Sequence, residues 1–198
     1  MKKLFLLLIL TFISLSIFAS PFGLKMGMTL EEVTAACGGK RPERIENDDR
    51  YIITPEKSHS TFEFYLAWIN AEHGLYRIRG VSEEIETDDY GKNIQNAFYN
   101  FEHRLEAIYG TPEITDRIID KESYYKEDKY WSYSLRHGAR ELSAVWSEII
   151  KGSKMKDDVI YVNLHVEAVN SYSDEFYLFL DYVFSNTFAV EDQEDEVL

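Results

Sequence analysis

The sequence predicts an α+β protein in which an antiparallel sheet carries two helices on one face. Residues 88–112 place apolar side chains three and four positions apart, which is typical of an amphipathic helix. Segments before and after it alternate apolar and polar residues, which is typical of half-buried strands. The 198-residue chain is 45% hydrophobic, so it can bury one sizeable core around these elements.

The first helix is predicted to begin at Thr29. Thr29 and Glu32 have the spacing of a capping box, in which each side chain binds a backbone N–H group of the first turn. Val33 and Cys37 then lie on the inner side of the helix, and two glycines end it. We expect Cys37 to be a buried thiol, because it is the only cysteine and cannot form an internal disulfide.

Residues that typically begin and end helices lie at both ends of the long helix. Asp88 or Asp89 can cap its first turn, Gly110 can take the left-handed conformation after its last turn, and Pro112 prevents continuation. Strands are predicted on both sides of it, within residues 43–54, 61–70, 75–81, 129–137, 141–150, 159–169 and 175–188. The last of these segments also fits a short helix, but its alternating aromatic residues favour a strand.

The chain divides into two parts that each run from a helix into strands, residues 20–87 and residues 88–190 of one compact domain. Residues 35–45 and 107–118 each close a helix with glycine and then supply proline and glutamate, which suggests an internal repeat. Glycine and proline are common at helix ends, so chance is an alternative explanation. Residues 191–198 are acidic and are expected to form a disordered tail.

The first 19 residues have the pattern of a secretory signal peptide. Two lysines precede an apolar run, and small residues follow it up to Ala19, after which we expect cleavage. An uncleaved anchor is the alternative. The sequence therefore predicts a periplasmic or secreted protein with no integral membrane segment after signal removal. The net charge of −14 argues against nucleic acid and anionic membrane surfaces as partners. An envelope or extracellular protein is the expected partner.

The segments PFGLKMGMTLEEV and YGTPE resemble the small exported bacterial domains related to SmpA/OmlA and to the beta-lactamase inhibitor protein. The matching positions are Gly27, Met28, Thr29, Val33, Gly110 and Pro112. The resemblance implies helices packed on one face of an antiparallel sheet and a bias toward binding. It implies neither lactamase inhibition nor outer-membrane assembly, because this chain lacks the disulfides of the first group and the lipidated cysteine of the second.

Catalytic motifs are absent from the sequence. It contains no GxSxG, HExxH or paired CxxC pattern, and no two histidines share a metal-ligand spacing on one predicted element. His103 is expected on a solvated ion-pair face of the long helix, and the acidic residues 83–89 are expected to form a linker. We therefore predict a noncatalytic protein without a cofactor or metal.

The outer face of the predicted sheet is the candidate binding surface. Arg77 and Arg79 are expected to point outward from this face. We therefore predict that reversing their charges leaves the stability nearly unchanged. Tyrosine and arginine are enriched at recognition surfaces, although a solvated face with paired charges is the simpler alternative. A carrier of a small apolar ligand between helices and sheet, and a hydrolase with dispersed Asp, Glu and His residues, are two further alternatives. The predicted binding residues are Tyr65, Arg77, Arg79, Arg136, Tyr161 and His165.

Overall fold

The computed structural model describes residues 20–46, 48–119 and 126–195, so the predicted signal peptide at residues 1–19 lies outside the described residues. Within these ranges the chain forms one antiparallel sheet of nine strands together with five α-helices. This architecture confirms the predicted α+β class. No helix in the described ranges has both the length and the apolar character that crossing a membrane requires.

The strands, numbered in chain order, are β1 (Glu43–Arg44), β2 (Arg50–Ile53), β3 (Phe62–Asn70), β4 (Gly74–Ser82), β5 (Ile85–Glu86), β6 (Glu113–Ile118), β7 (Arg140–Ser147), β8 (Val159–Ala168) and β9 (Glu175–Phe184). The α-helices, numbered in the same way, are α1 (Leu30–Ala36), α2 (Lys92–Tyr109), α3 (Trp131–Arg136), α4 (Glu148–Lys151) and α5 (Thr187–Asp195).

The strand order shows that the described chain twice forms a helix followed by four strands of the sheet. The sheet runs β1-β2-β3-β4-β9-β8-β7-β6, with β5 pairing separately with β9. In one half α1 leads into β1 to β4, and in the other α2 leads into β6 to β9, with α3 and α4 inserted. The last strands of the two halves, β4 and β9, pair with each other at the centre. The division into residues 20–87 and 88–190 stays a prediction.

The proposed repeat segments occupy equivalent places in the two halves. Gly38 after α1 and Gly110 after α2 both have positive φ angles, of 64° and 77°. In each half a proline then precedes the glutamate that begins the first strand, Glu43 in β1 and Glu113 in β6. The glycines allow backbone turns that other residues adopt at a cost, so each helix is redirected into a strand at the same point.

The core lies between the helices and one face of the sheet. Helix α2 packs on β8 and β9, and its buried stripe consists of Ile94, Phe98, Phe101, Leu105 and Tyr109. The Asp88 carboxylate accepts a hydrogen bond of 2.9 Å from the first backbone N–H of α2, as the predicted capping requires. The capping box of α1 is also present, and Cys37 is buried as predicted.

The predicted register of β3 was wrong beyond its first residue. A bulge lies between Phe62 and Phe64, so Tyr65 is 2% exposed on the core face and Trp68 points to the other face. A bulge adds one residue to one strand, and side chains after it therefore change faces relative to a simple alternation. Tyr65, predicted as an outer binding residue, is a core residue.

Most of the predicted strand at residues 129–137 is helical, with a 3-10 turn at Asp128–Tyr130 followed by α3 at Trp131–Arg136. Trp131 and Leu135 are both buried, and a separation of four residues fits a helix as well as a strand. Arg136 at the end of α3 donates to the Asp174 carboxylate at 2.6 Å and to the Ser173 carbonyl at 3.1 Å. Arg136 therefore holds the loop between β8 and β9 through Ser173 and Asp174. It does not belong to the outer face of the sheet, contrary to the prediction.

The remaining differences concern short elements. The predicted strand at residues 43–54 is divided into β1 and β2, because Asp48 and Asp49 lie between them. The favoured strand at residues 175–188 is confirmed by β9, and part of the acidic linker pairs with it as β5. Helix α5 covers residues 191–195, so the prediction of a disordered tail was wrong there, and residues 196–198 lie outside the described chain.

Candidate binding face

The sheet face opposite α2 and α3, hereafter the open face, is built by the pairing of β4, β9 and β8. Asp181 on β9 lies directly across from Arg79 on β4 and from Asn163 on β8. Side chains two positions apart on a strand share a face, so Arg77 also points toward Asp181. The fold thus brings Arg77 and Asp181, which are 104 positions apart in the sequence, into contact.

Two guanidinium groups share one buried carboxylate in what we call the arginine cluster, which consists of Arg77, Arg79, Asp181 and His165. Arg77 Nη2 donates to Asp181 Oδ1 and Arg79 Nη2 donates to Oδ2, both at 2.9 Å. Both Nε atoms also donate to Oδ1, at 3.1 and 2.9 Å. Asp181 is 2% exposed, whereas the side chains of Arg77 and Arg79 are 34% and 23% exposed. The carboxylate fixes both groups while part of each reaches solvent.

His165 completes the cluster as a neutral imidazole. Its Nδ1 lies 3.2 Å from the Asn163 amide nitrogen, and its Nε2 lies 3.2 Å from Glu167 Oε1. A ring with its proton on Nε2 satisfies both contacts, because it accepts from Asn163 and donates to Glu167. Burial lowers the pKa of His165, while Asp181, 3.8 Å from Nδ1, opposes that effect. Around neutral pH the cluster therefore carries two cationic groups and one carboxylate.

Aromatic side chains flank the arginine cluster, and we call Phe64, Trp68 and Phe179 the aromatic rim. The guanidinium carbon of Arg77 lies 4.6 Å from the centre of the Trp68 ring, and that of Arg79 lies 5.1 Å from Phe179. The His165 ring stacks on Phe179 with centres 5.1 Å apart. Phe64 is 37% exposed. Aromatic faces beside cations stabilise the positions of the guanidinium groups and offer apolar contact area to a partner.

A shallow hollow of about 370 Å³ lies beside the cluster, between β7 and β8. Tyr161 and Asn163 line it, and burial raises the pKa of Tyr161. The Asn163 Oδ1 atom is buried and accepts no hydrogen bond within the part of the chain that the structure describes. A buried acceptor without a donor is unfavourable, so this atom can receive a hydrogen bond from water or from a partner.

Four of the predicted binding residues therefore lie together on the open face: Arg77, Arg79, Tyr161 and His165. Sequence reasoning missed Asp181, which organises them. A signal was present, because Asp181 is the only charged residue within the apolar run FYLFLDYVF, and an acidic residue in a buried strand requires a cationic partner. Arg77 and Arg79, which the sequence predicts to point outward, could supply that cation.

A second cluster lies on α2, away from the open face. Glu102, His103 and Glu106 each offer one ligand atom, and these atoms lie within 4.8 Å of one another. His103 Nδ1 is 3.1 Å from Glu102 Oε2, and burial raises the pKa of Glu102. The His103 side chain is 71% exposed, which agrees with its expected place on a solvated face. Exposed groups of this kind are common without an ion, and the absence of a metal stays a prediction.

The sequence matches no protein-family model, no curated protein sequence and no solved structure. The resemblance to the SmpA/OmlA and beta-lactamase inhibitor protein group stays a prediction. The binding chemistry of the open face therefore follows from its own residues. Two oriented cations with aromatic neighbours can bind a carboxylate and an apolar surface together.

Proposed function

We propose that the protein is an exported, noncatalytic binding protein that recognises a protein partner through the open face. The observation that carries this proposal is the arginine cluster, in which Asp181 holds Arg77 and Arg79 while leaving each partly exposed. Holding the side chains before binding reduces the entropy lost when a partner docks. Export is supported by the signal-peptide pattern of residues 1–19.

The composition of the open face favours a protein over other partners. Arginine and aromatic residues contribute most to binding energy at protein interfaces, and they adjoin here as Arg77 with Trp68 and Arg79 with Phe179. The two guanidinium groups remain partly exposed on a chain whose net charge is −14, so each can still face an acidic group of a partner. The complementary partner surface would present an acidic side chain beside an apolar patch.

The test is capture from the envelope and extracellular fractions of the producing cell, followed by binding of the captured protein in purified form. One bait carries Phe64→Ser and Trp68→Ser, which remove apolar area from the aromatic rim. The matched control carries Ile149→Ser and Tyr172→Ser, because those residues are 94% and 93% exposed elsewhere. Thermal melts confirm that each bait is folded.

Binding that the aromatic-rim variant loses and the control keeps would support the proposal. Purified binding should also weaken as salt concentration rises, because an acidic partner group would face the exposed guanidinium groups. Equal capture by both variants, or binding that salt does not change, would count against the open face as the recognition surface.

A further inference from the structure

A groove on the helical side of the molecule has a chemical character different from that of the open face. It has a volume of about 370 Å³ and lies between the N-terminal turn at Pro21–Gly23, helix α2 and strand β9. This volume is near the lower end of the range of about 300–1,000 Å³ that is usual for small-molecule pockets. The apolar and aromatic side chains that line it are Phe22, Phe101, Leu105, Ile108, Tyr109, Leu180 and Tyr182.

Basic side chains lie along the same groove. Lys57, His59 and Arg104 line it, and both Lys57 and Arg104 are exposed. In a chain with 35 acidic and 21 basic residues, an apolar groove bordered by the cations of Lys57 and Arg104 is a local reversal of the overall charge. The combination favours a ligand with an apolar body and an anionic end.

His59 and Arg104 contact each other at the edge of the groove. The Thr61 backbone N–H donates to His59 Nδ1 at 3.1 Å, so in the neutral ring the proton is on Nε2. Burial lowers the pKa of His59, and the charge of Arg104 adds to this effect, which agrees with a neutral ring. Yet Nε2 lies 3.1 Å from Arg104 Nη1, which is always a donor. In this tautomer two N–H donors therefore adjoin at the edge of the groove, which is unfavourable, and an acceptor oxygen bound beside both nitrogens would relieve that contact.

The His59 donor is held in place by its surroundings. The His59 backbone N–H donates to the Tyr65 hydroxyl at 2.7 Å, and that hydroxyl lies 3.2 Å from the His59 carbonyl oxygen. The imidazole ring also contacts the Phe101 ring edge to face, with centres 5.1 Å apart. Tyr65 thus fixes the loop from the core side, and the donor pair exists before any ligand binds.

We infer that this groove binds a small amphipathic carboxylate, with its carboxylate beside Arg104 Nη1 and His59 Nε2 and its hydrocarbon chain along α2. A carboxylate oxygen can accept from Arg104 Nη1 and His59 Nε2 together, and the chain would cover Ile108, which is 46% exposed. The chain would continue toward the aromatic rings of Phe22 and Tyr182, which pack edge to face at 5.8 Å. This site is separate from the open face and does not depend on it.

The test is calorimetric titration of the purified protein with decanoate, compared with decan-1-ol, which has the same chain length and no charge. Decanoate should bind more tightly than the alcohol. Arg104→Met should weaken decanoate binding about ten-fold or more and leave decanol binding nearly unchanged, because a charge-assisted hydrogen bond is lost. Arg41→Met, at an exposed arginine elsewhere, is the matched control and should bind decanoate normally.

Ile108→Trp is the second variant, because it fills the groove from a partly exposed position and should abolish binding of both ligands. Thermal melts check that each variant is folded. Equal affinity for decanoate and decanol, or full decanoate binding by Arg104→Met, would overturn the inference. Failure of decanoate to bind the parent protein would also overturn it.

Discussion

Arg79 and Asp181 are direct cross-strand neighbours on β4 and β9, and Arg79 Nη2 lies 2.9 Å from Asp181 Oδ2. The same carboxylate also accepts from Arg77, so one buried group neutralises part of the charge of two cations. Its loss would leave the two guanidinium groups close together without a counter-charge. Stability and the shape of the open face therefore depend on one residue.

Asp181→Ala should lower the free energy of unfolding by about 2–3 kcal/mol. Breaking a buried ion pair costs roughly 3–5 kcal/mol, and the partial exposure of both arginines reduces that cost. Urea denaturation measures the change. Glu167→Ala is a matched control on the same face, because Glu167 is 59% exposed, and it should change stability by about 0.5 kcal/mol or less. Similar losses in the two variants would contradict a central role for Asp181.

Charge reversal at Arg77 and Arg79 should be strongly destabilising, which is the opposite of the expectation from sequence alone. The double change to glutamate would place two further carboxylates beside Asp181, which is 2% exposed. Like charges at such a site disfavour the folded state, so we expect a loss of about 3 kcal/mol or more. Thermal and urea denaturation of the double variant, with Arg77→Lys as the charge-conserving control, measure this effect. An unchanged melt would mean that Asp181 is not the shared partner.

The stability of the protein should fall as the pH drops below about 6.5, in part through His165. Its pKa in the folded protein is lowered by burial, so below the pKa of the unfolded state, about 6.5, the unfolded chain binds more protons. The stabilisation by the neutral ring is fully present above that pH. It decreases as the pH falls, until the folded protein is also protonated.

Urea denaturation of the parent protein and of His165→Gln at pH 7.5 and 5.0 tests this dependence. The variant should lose less stability than the parent between the two values, because it lacks the titrating group. His59 shifts in the same direction and Glu102 in the opposite one, but both are present in the two proteins and cancel in the difference. An equal loss in both proteins would exclude His165 as a contributor.

Gly91 should tolerate no side chain. It precedes α2 with φ +71°, and an added Cβ would overlap the indole ring of Trp131. Gly91→Ala should therefore cost about 3 kcal/mol or more, from backbone strain and overpacking together. Gly138 has φ +68° with nothing near the added carbon, so Gly138→Ala should cost only about 1–2 kcal/mol, from the backbone alone. Equal costs in denaturation experiments would place Trp131 away from the start of α2.

The elements that sequence reasoning predicted correctly are those in which local signals agree. Helix α2 has a continuous apolar stripe, a glycine after its end and, before its start, Asp88, which accepts from the first backbone N–H, so the pattern and the end signals indicate the same structure. Strand β7 likewise has Leu142, Ala144 and Trp146 buried as the alternation predicts.

The errors arise where two structures share one local pattern. The bulge after Phe62 moves Tyr65 into the core and Trp68 onto the open face, and nothing in an alternating segment marks where an extra residue falls. Trp131 and Leu135 occupy one face in a helix and in a strand alike, so the pattern of the short α3 also predicts a strand. The sequence predicts the arginine cluster only in part. Its carboxylate belongs to Asp181, which lies 102 residues after Arg79 on a strand whose pairing with β4 no local pattern shows.

The central position of β9 has a consequence for the way the protein is made. Synthesis delivers β4 well before β9, so the middle of the sheet cannot pair until β9 is present. Such distant pairing makes folding slow, because the intervening chain must close a long loop first. A product that stops before Glu175 would leave β4 and β8 as two bare edges, and edges of that kind recruit other chains. Prematurely terminated copies should therefore accumulate as aggregates and not as a smaller folded domain.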